Sequence, residues 1–180
     1  MKISTTINSL LCFLLFGSVA MAQKAETPDY RYDTGAKINE MTLTQGGTMV
    51  VATNDGLVGI KPGSNDLLFN FTEYGRVKPE ELLYVPNAPY VIVSQGGFAG
   101  ITSKKSVIDY ISGKTLFTTE GNGWKSVYTC DVMMPQNKLV VTGQRTSKED
   151  FAAQVAVYDL NTGQEDYKFD MAGKGGTFDP

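Results

Sequence analysis

Asp109 and Asp159 occupy the same place in two similar stretches of this sequence, fifty residues apart. A pair of carboxylates can act as general acid and general base, or can bind a cation. A catalytic group has no reason to recur in successive segments, whereas a residue that caps a turn recurs with each copy of the turn. Aspartate side chains accept hydrogen bonds from backbone N–H groups two residues further along the chain. The spacing therefore predicts that both aspartates cap turns.

Other residues suited to catalysis or metal binding are few. The sequence contains no histidine, the commonest general base and metal ligand. Residues 54–56 (Asn-Asp-Gly) resemble a fragment of a calcium loop but lack its later carboxylates and terminal glutamate, so we interpret them as a hairpin turn. Cys130 lies in an apolar run and is expected to be a small buried hydrophobe, with a reactive or metal-binding thiol as the alternative. We predict no catalytic residue, no bound cofactor and no metal site.

Two polar and aromatic pairs are candidates for contact with a ligand or partner. Trp124, the single tryptophan, precedes Lys125 in a connector between two β-rich segments. Its ring could stack on a sugar, a quinone or a peptide side chain, or it could pack between neighbouring structural units. Tyr74 and Arg76 lie in the corresponding connector one unit earlier, and the same two interpretations apply to them.

The elements that must position these residues form a repeat. Residues 155–169 (VAVYDLNTGQEDYKF) contain two runs rich in β-branched and aromatic residues, separated by Asn-Thr-Gly, which predicts a β-hairpin. The same plan occurs fifty and one hundred residues earlier, which aligns Gly63 with Gly113 and Gly163. Repeats of this length indicate a repeat architecture. No stretch has the 3.6-residue period of a helix.

Each repeat contains four short apolar runs separated by turn residues, so we predict an all-β chain of about three four-stranded antiparallel units. Such units are typical of β-propeller blades. We place the blades at residues 37–172, in units 37–75, 76–123 and 124–172, after an N-terminal lead at 23–36. Residues 173–180 form a Gly-rich connector. Closed propellers have about 4 to 8 blades, so we expect a piece of a larger propeller; a three-blade half that assembles with another chain is the alternative.

The stretches TMVVATNDGLVGIKPGSNDLLFNF and VAVYDLNTGQEDYKF resemble the repeat of PQQ-like (pyrroloquinoline-quinone type) propellers, and WD40-like and other repeat propellers are close alternatives. The resemblance covers roughly residues 37–170 and implies propeller blades. The family usually has tryptophan on the last strand of each blade, where this chain has Leu67, Phe117 and Tyr167. In the same alignment, Gly59 of the first repeat occupies the position of Asp109 in the second and Asp159 in the third. These departures weaken the inference to quinone binding.

The N-terminus predicts export. Residues 1–22 have a basic residue, Lys2, then an apolar segment, and end in Ala-Met-Ala, which is typical of a secretory signal peptide. The net charge is −3, and nothing suggests the basic stripe of a nucleic-acid-binding protein. No further apolar stretch is long enough to span a membrane. We expect the chain in the periplasm, at the outer membrane or outside the cell.

These observations favour a non-catalytic, exported β-propeller module that binds or scaffolds an envelope or extracellular protein or glycan. The alternative is the N-terminal part of a propeller enzyme, either a quinoprotein dehydrogenase or a glycan-active enzyme, whose site lies outside this chain. A quinoprotein needs carboxylate and amide ligands for a metal beside the quinone and frequently an adjacent pair of cysteines. Only Cys130 remains after the predicted cleavage.

Overall fold

A computed structural model describes residues 31–96, 104–146 and 153–170. The described residues from Tyr32 onward belong to one compact unit. The predicted signal peptide, most of the N-terminal lead and the predicted connector at 173–180 lie outside the described residues.

The described residues form three four-stranded antiparallel sheets, and in each sheet the strands lie side by side in sequence order. The first sheet contains β1 (Ile38–Leu43), β2 (Met49–Thr53), β3 (Leu57–Ile60) and β4 (Leu67–Phe71). The second contains β5 (Leu82–Tyr84), β6 (Tyr90–Gln95), β7 (Lys104–Asp109) and β8 (Lys114–Thr118). The third contains β9 (Trp124–Met133), β10 (Lys138–Arg145), β11 (Gln154–Asp159) and β12 (Glu165–Asp170). The prediction of an all-β chain with three such units is confirmed.

Helical structure is confined, within the described residues, to two short 3-10 turns at Thr72–Tyr74 and Pro79–Glu81. Both lie in the connection from the first sheet to the second. Nowhere in the part of the chain that the structure describes is there a helix of the length and apolar character needed to cross a membrane.

The hairpin turns form as their residues predict. Gly63, Gly113 and Gly163 have φ angles of 63°, 71° and 72°, a region that glycine enters without a steric penalty. The Asp109 carboxylate accepts hydrogen bonds from the backbone N–H groups of the two residues at 111 and 112, at 2.8 and 3.2 Å. Asp159 accepts the corresponding bonds from residues 161 and 162, at 2.7 and 3.2 Å. The predicted turn-capping role of both aspartates is confirmed.

Replacing Gly113 by alanine should cost more stability than replacing Gly163. Both variants place a Cβ at positive φ, which costs about 1 to 2 kcal/mol. A Cβ at Gly113 would also lie 2.9 Å from the Leu68 carbonyl oxygen of the first sheet, whereas the nearest atom at Gly163 is 3.5 Å away. We expect Gly163→Ala to lower the free energy of unfolding by about 1 kcal/mol and Gly113→Ala by about 2 to 3 kcal/mol in urea titrations. Equal losses would show that Leu68 does not restrict this turn.

The strand register corrects the alignment of the repeats. In each sheet one aromatic residue of the last strand faces the same position of the third strand, and these residues are Phe69, Phe117 and Tyr167. The expectation that Leu67 takes this place is wrong. The reason is that the constant spacing of fifty residues holds between the second and third sheets, whereas the first hairpin lies 48 residues before the second by register.

Gly59 is likewise two positions away from the expected match. The register pairs Gly59 with Phe69 in the first sheet and Val107 with Phe117 in the second, so Gly59 corresponds to Val107 and not to Asp109. A Cβ at Gly59 would lie 2.2 Å from the Phe69 ring. The absence of a side chain at Gly59 therefore lets the Phe69 ring lie across β3. The second sheet packs on this ring.

The sheets pack face to face in sequence order, and each of the two junctions has its own apolar cluster. Facing side chains of the first and second sheets form one cluster, which includes Phe69, Leu57, Val91 and Ile108. Facing side chains of the second and third sheets form the other, which includes Phe117, Ile92, Leu139 and Tyr158. The second sheet therefore contributes both of its faces to these clusters, whereas the first and third sheets each contribute one.

Candidate functional site

Trp124 is the first residue of β9 and not part of a connector, so the prediction of its local structure is wrong. Its side chain is buried in the cluster between the second and third sheets. The indole Nε1–H donates a hydrogen bond to the Tyr158 hydroxyl at 2.9 Å. The Arg145 guanidinium lies over the indole ring, 4.2 Å from its centroid, in a cation–π contact. The geometry is that of the packing alternative, and a role of Trp124 in partner contact stays a prediction.

The polar groups around this tryptophan form a connected network. Arg145 donates one hydrogen bond to the Asn122 carbonyl at 2.5 Å and forms an ion pair with Glu165. Glu165 also accepts a hydrogen bond from the Tyr158 hydroxyl at 3.2 Å. Burial raises the pKa of Tyr158, and the hydrogen bond with Trp124 and the Arg145 charge offset part of this increase. The phenol is therefore a neutral donor at physiological pH, and it joins three strands of one sheet.

The remaining predicted contact residues lie in different surroundings. Lys125 and Arg76 are exposed, and Tyr74 is half-buried at the end of the first 3-10 turn. Tyr74 packs beside the cluster between the first and second sheets, whereas Trp124 belongs to the other cluster. The structure therefore does not bring the two predicted pairs into one site. Their contact with a ligand stays a prediction.

Tyr74 lines a cleft of about 380 Å³ between the connection after β4 and strands β7 and β8. Burial raises the pKa of the Tyr74 phenol and lowers the pKa of Lys105. Lys105 donates a hydrogen bond to the Ser94 hydroxyl at 2.8 Å, and Lys104 pairs with Glu120 at 2.5 Å. These polar groups already have partners. The other lining residues are Glu73, Gln95, Ser106, Thr115, Thr118 and Thr119.

Cys130 is a buried free thiol, as expected from the sequence. Burial raises its pKa to about 12, so the thiol is protonated at neutral pH and is a poor nucleophile and a poor metal ligand. Among the residues described, no group of three or more cysteine, aspartate and glutamate side chains is placed to hold a metal ion.

The first and third sheets each have one apolar face that lies outside both core clusters of the described residues. We call them the first outer face and the third outer face. The strand registers place on the first outer face Met41, Leu43, Met49, Val51, Val58, Ile60 and Leu67. They place on the third outer face Met133, Val140, Val155, Val157, Tyr167 and Phe169. Neither core cluster of the described residues includes any of these side chains.

Exposure at register-equivalent positions distinguishes these faces from the internal ones. Phe117 on the second sheet is 4% exposed because the third sheet covers it, whereas Tyr167 at the same place on the third sheet is 59% exposed. Met41 on the first sheet is 61% exposed, whereas Cys130, its equivalent on the third sheet, is buried against the second. The exposure lies on the flanking strands, because Val51, Val58 and Val157 in the middle of these faces are only 2%, 5% and 6% exposed. Each outer face therefore has the position and apolar character of a packing surface, and its exposed part lies mainly on the first and last strands of its sheet.

Comparison with known proteins gives little further information. No protein-family model and no curated protein sequence matches this chain. One of the solved structures that it resembles is titled "Crystal structure of the eukaryotic initiation factor"; the TM-score is 0.43 and the sequence identity 10%, with 77% of this chain and 34% of that chain covered. This chain thus spans about a third of that protein's length, and so distant a likeness supports no conclusion about function.

The outer faces are not among the sites predicted from the sequence, which are polar and aromatic residues assigned to connectors. A usable signal was present in β1 and β12. Met41 and Leu43 alternate with threonines, and Tyr167 and Phe169 alternate with charged residues. Strands of this kind, with large apolar side chains on one face, predict a surface that packs on something.

Proposed function

We propose that this chain is an exported β-propeller-type module, three blades of a larger ring, that serves as a non-catalytic binding or scaffold component of the cell envelope or the extracellular space. The observation that carries the proposal is the pair of apolar outer faces, at positions where the internal sheets are covered. Monomeric soluble proteins seldom expose large contiguous apolar patches, and such patches mark interaction sites. The repeat resemblance to propellers supports the ring, since propeller blades pack face to face around a centre.

The proposed partners are envelope or extracellular proteins or glycans. The signal-peptide pattern of residues 1–22 supports export. The exposed Lys125, at the start of β9, is proposed as a secondary contact, as are the exposed Arg76 and the half-buried Tyr74 in the connection after β4. Trp124 would contribute by holding the end of β9 in place, through its bond to Tyr158 and its contact with Arg145.

Oxidative footprinting tests whether the outer faces are covered in the cell. Hydroxyl radicals oxidise exposed methionine and aromatic side chains, so Met41 and Tyr167 report on one face each. We expect both to be several-fold less oxidised in protein recovered gently from the exporting cell than in the same protein dissociated in mild denaturant below its unfolding transition. Met134 lies in an exposed turn and should be oxidised equally in both samples.

The same sample tests export, since the mass of the recovered chain should correspond to a start at Gln23. Equal oxidation of Met41 and Tyr167 before and after dissociation would contradict the proposal of a binding or scaffold module. A chain that retains residues 1–22 would contradict the proposed location.

A further inference from the structure

The two internal junctions show which surfaces fit each other. At each junction, the face of the earlier sheet that bears the last-strand aromatic packs against the opposite face of the later sheet. Phe69 enters the first junction, opposite Val91 and Ile108 of the second sheet. Phe117 enters the second junction, opposite Leu139 and Tyr158 of the third sheet. The chain thus uses one type of sheet–sheet contact twice.

The two outer faces match the two kinds of face that meet at each internal junction. The third outer face is the aromatic-bearing kind, and Tyr167 lies on it at the place of Phe69 and Phe117. The first outer face is the complementary kind, and its Met49 and Ile60 correspond by register to Val91 and Ile108. The three described sheets cannot join these two faces to each other, since closed propellers have about 4 to 8 blades.

We infer that a second copy of this chain covers both outer faces, head to tail, in a two-fold symmetric ring of six sheets. The inference rests on the proposed function and names its partner. Each copy brings one face of each kind, so two copies cover all four faces with no further component. Three sheets from each copy give a ring within the usual range of blade numbers, and two-fold dimers are the commonest symmetric assembly.

The charges at the faces suit this contact. The first outer face carries no charged side chain among its apolar residues, so its burial desolvates no ion. At the rim of the third outer face, Lys138 forms ion pairs with Asp159 at 2.6 Å and with Asp166 at 2.8 Å. These charges therefore reach the contact already paired, which reduces the cost of placing them near an apolar surface. Asp131, opposite Val140 in the register, is a further exposed carboxylate on the edge strand β9 of this face.

The test is the solution mass of the chain from Gln23 to Pro180, purified alone and measured by light scattering and sedimentation over a wide concentration range. We expect a dimer for the natural sequence. Met41→Glu, on the first outer face, and Tyr167→Lys, on the third, should each weaken the dimer at least 100-fold, because each places a charge in both symmetry-related contacts. Ile111→Glu is the matched control: Ile111 is 57% exposed but lies in a hairpin turn away from both faces, and this variant should remain a dimer.

Mixing the two weakened variants gives a test that a misfolded variant cannot pass. In a mixed dimer one contact carries both substitutions and the other contact is entirely natural. We expect a 1:1 dimer at concentrations where each variant alone is a monomer.

A monomeric natural chain, an open filament or no association on mixing would overturn the inference. The proposed function would survive those results if footprinting still showed covered faces in cell-derived protein, because another partner would then occupy them. It would fail only if the faces were uncovered there too.

Discussion

Replacing Phe117 by alanine is expected to lower the free energy of unfolding by about 3 to 5 kcal/mol, whereas Tyr167→Ala should lower that of the monomer by less than about 1 kcal/mol. The two residues hold the same register position on successive sheets. Phe117 packs against Tyr158 with ring centroids 4.7 Å apart, in the cluster between the second and third sheets. Removing its ring leaves a cavity there. Tyr167 projects from an uncovered face, so its removal leaves none.

Urea titrations followed by circular dichroism measure both losses, at a concentration where the chain is monomeric or in a Met41→Glu background. Phe69→Ala serves as the positive control, because Phe69 is buried at the equivalent position of the first junction and should behave like Phe117. A loss of several kcal/mol for Tyr167→Ala under these conditions would show that part of the same chain covers the third outer face.

Trp124→Ala is expected to destabilise the chain by about 3 to 5 kcal/mol. The substitution empties an indole-sized space in the core, removes the hydrogen bond to the Tyr158 hydroxyl and leaves the Arg145 guanidinium without the ring beneath it. Trp124→Phe keeps most of the ring volume but not the N–H donor, and should cost about 1 to 2 kcal/mol. The loss in Trp124→Phe measures mainly the contribution of the hydrogen bond to the free energy of unfolding. The further loss in Trp124→Ala measures the contribution of packing.

Circular dichroism must follow the unfolding of these variants, because Trp124 is the only tryptophan and its fluorescence disappears with it. Lys125→Ala is the neighbouring control, with an exposed side chain and an expected loss below about 0.5 kcal/mol. If Trp124→Ala kept the stability of the natural chain and lost affinity for an envelope partner, the partner-contact interpretation would be correct instead.

The strands were largely predictable from the sequence, because their signals are local. The sequence predicts a hairpin turn at residues 54–56, and β2 (Met49–Thr53) and β3 (Leu57–Ile60) lie directly on either side of it. The Asn-Asp-Gly turn between them formed as expected, with the Thr53 hydroxyl donating to the Gly56 carbonyl at 3.0 Å. Alternation of side chains and the φ preferences of turn residues act over a few positions, so they can be identified without knowledge of the rest of the fold.

The candidate site was less predictable. Trp124 appeared to lie in a connector because Gly121 and Gly123 precede it, but β9 begins at Trp124, which pairs with Arg145 of β10. Its two contacts come from residues 21 and 34 positions further along the chain. The sequence around Trp124 does not indicate either contact. The register error at Leu67 has the same origin, since an alignment by constant spacing cannot detect a two-residue difference that strand pairing reveals.

The β-hairpins and the turn-capping aspartates follow from the sequence alone, because each depends on residues only a few positions apart. The three-fold repetition follows from it as well, because the same local pattern recurs along the chain. Which face of each sheet is covered depends instead on how the sheets pack against one another. Phe117 and Tyr167 are both aromatic residues on the last strand of a repeat, and their local sequences do not show that one is buried and the other exposed. The difference arises because a third sheet packs on the second, whereas no described element packs on the third. Burial is a property of neighbours in space, and those neighbours here come from sheets some fifty residues apart.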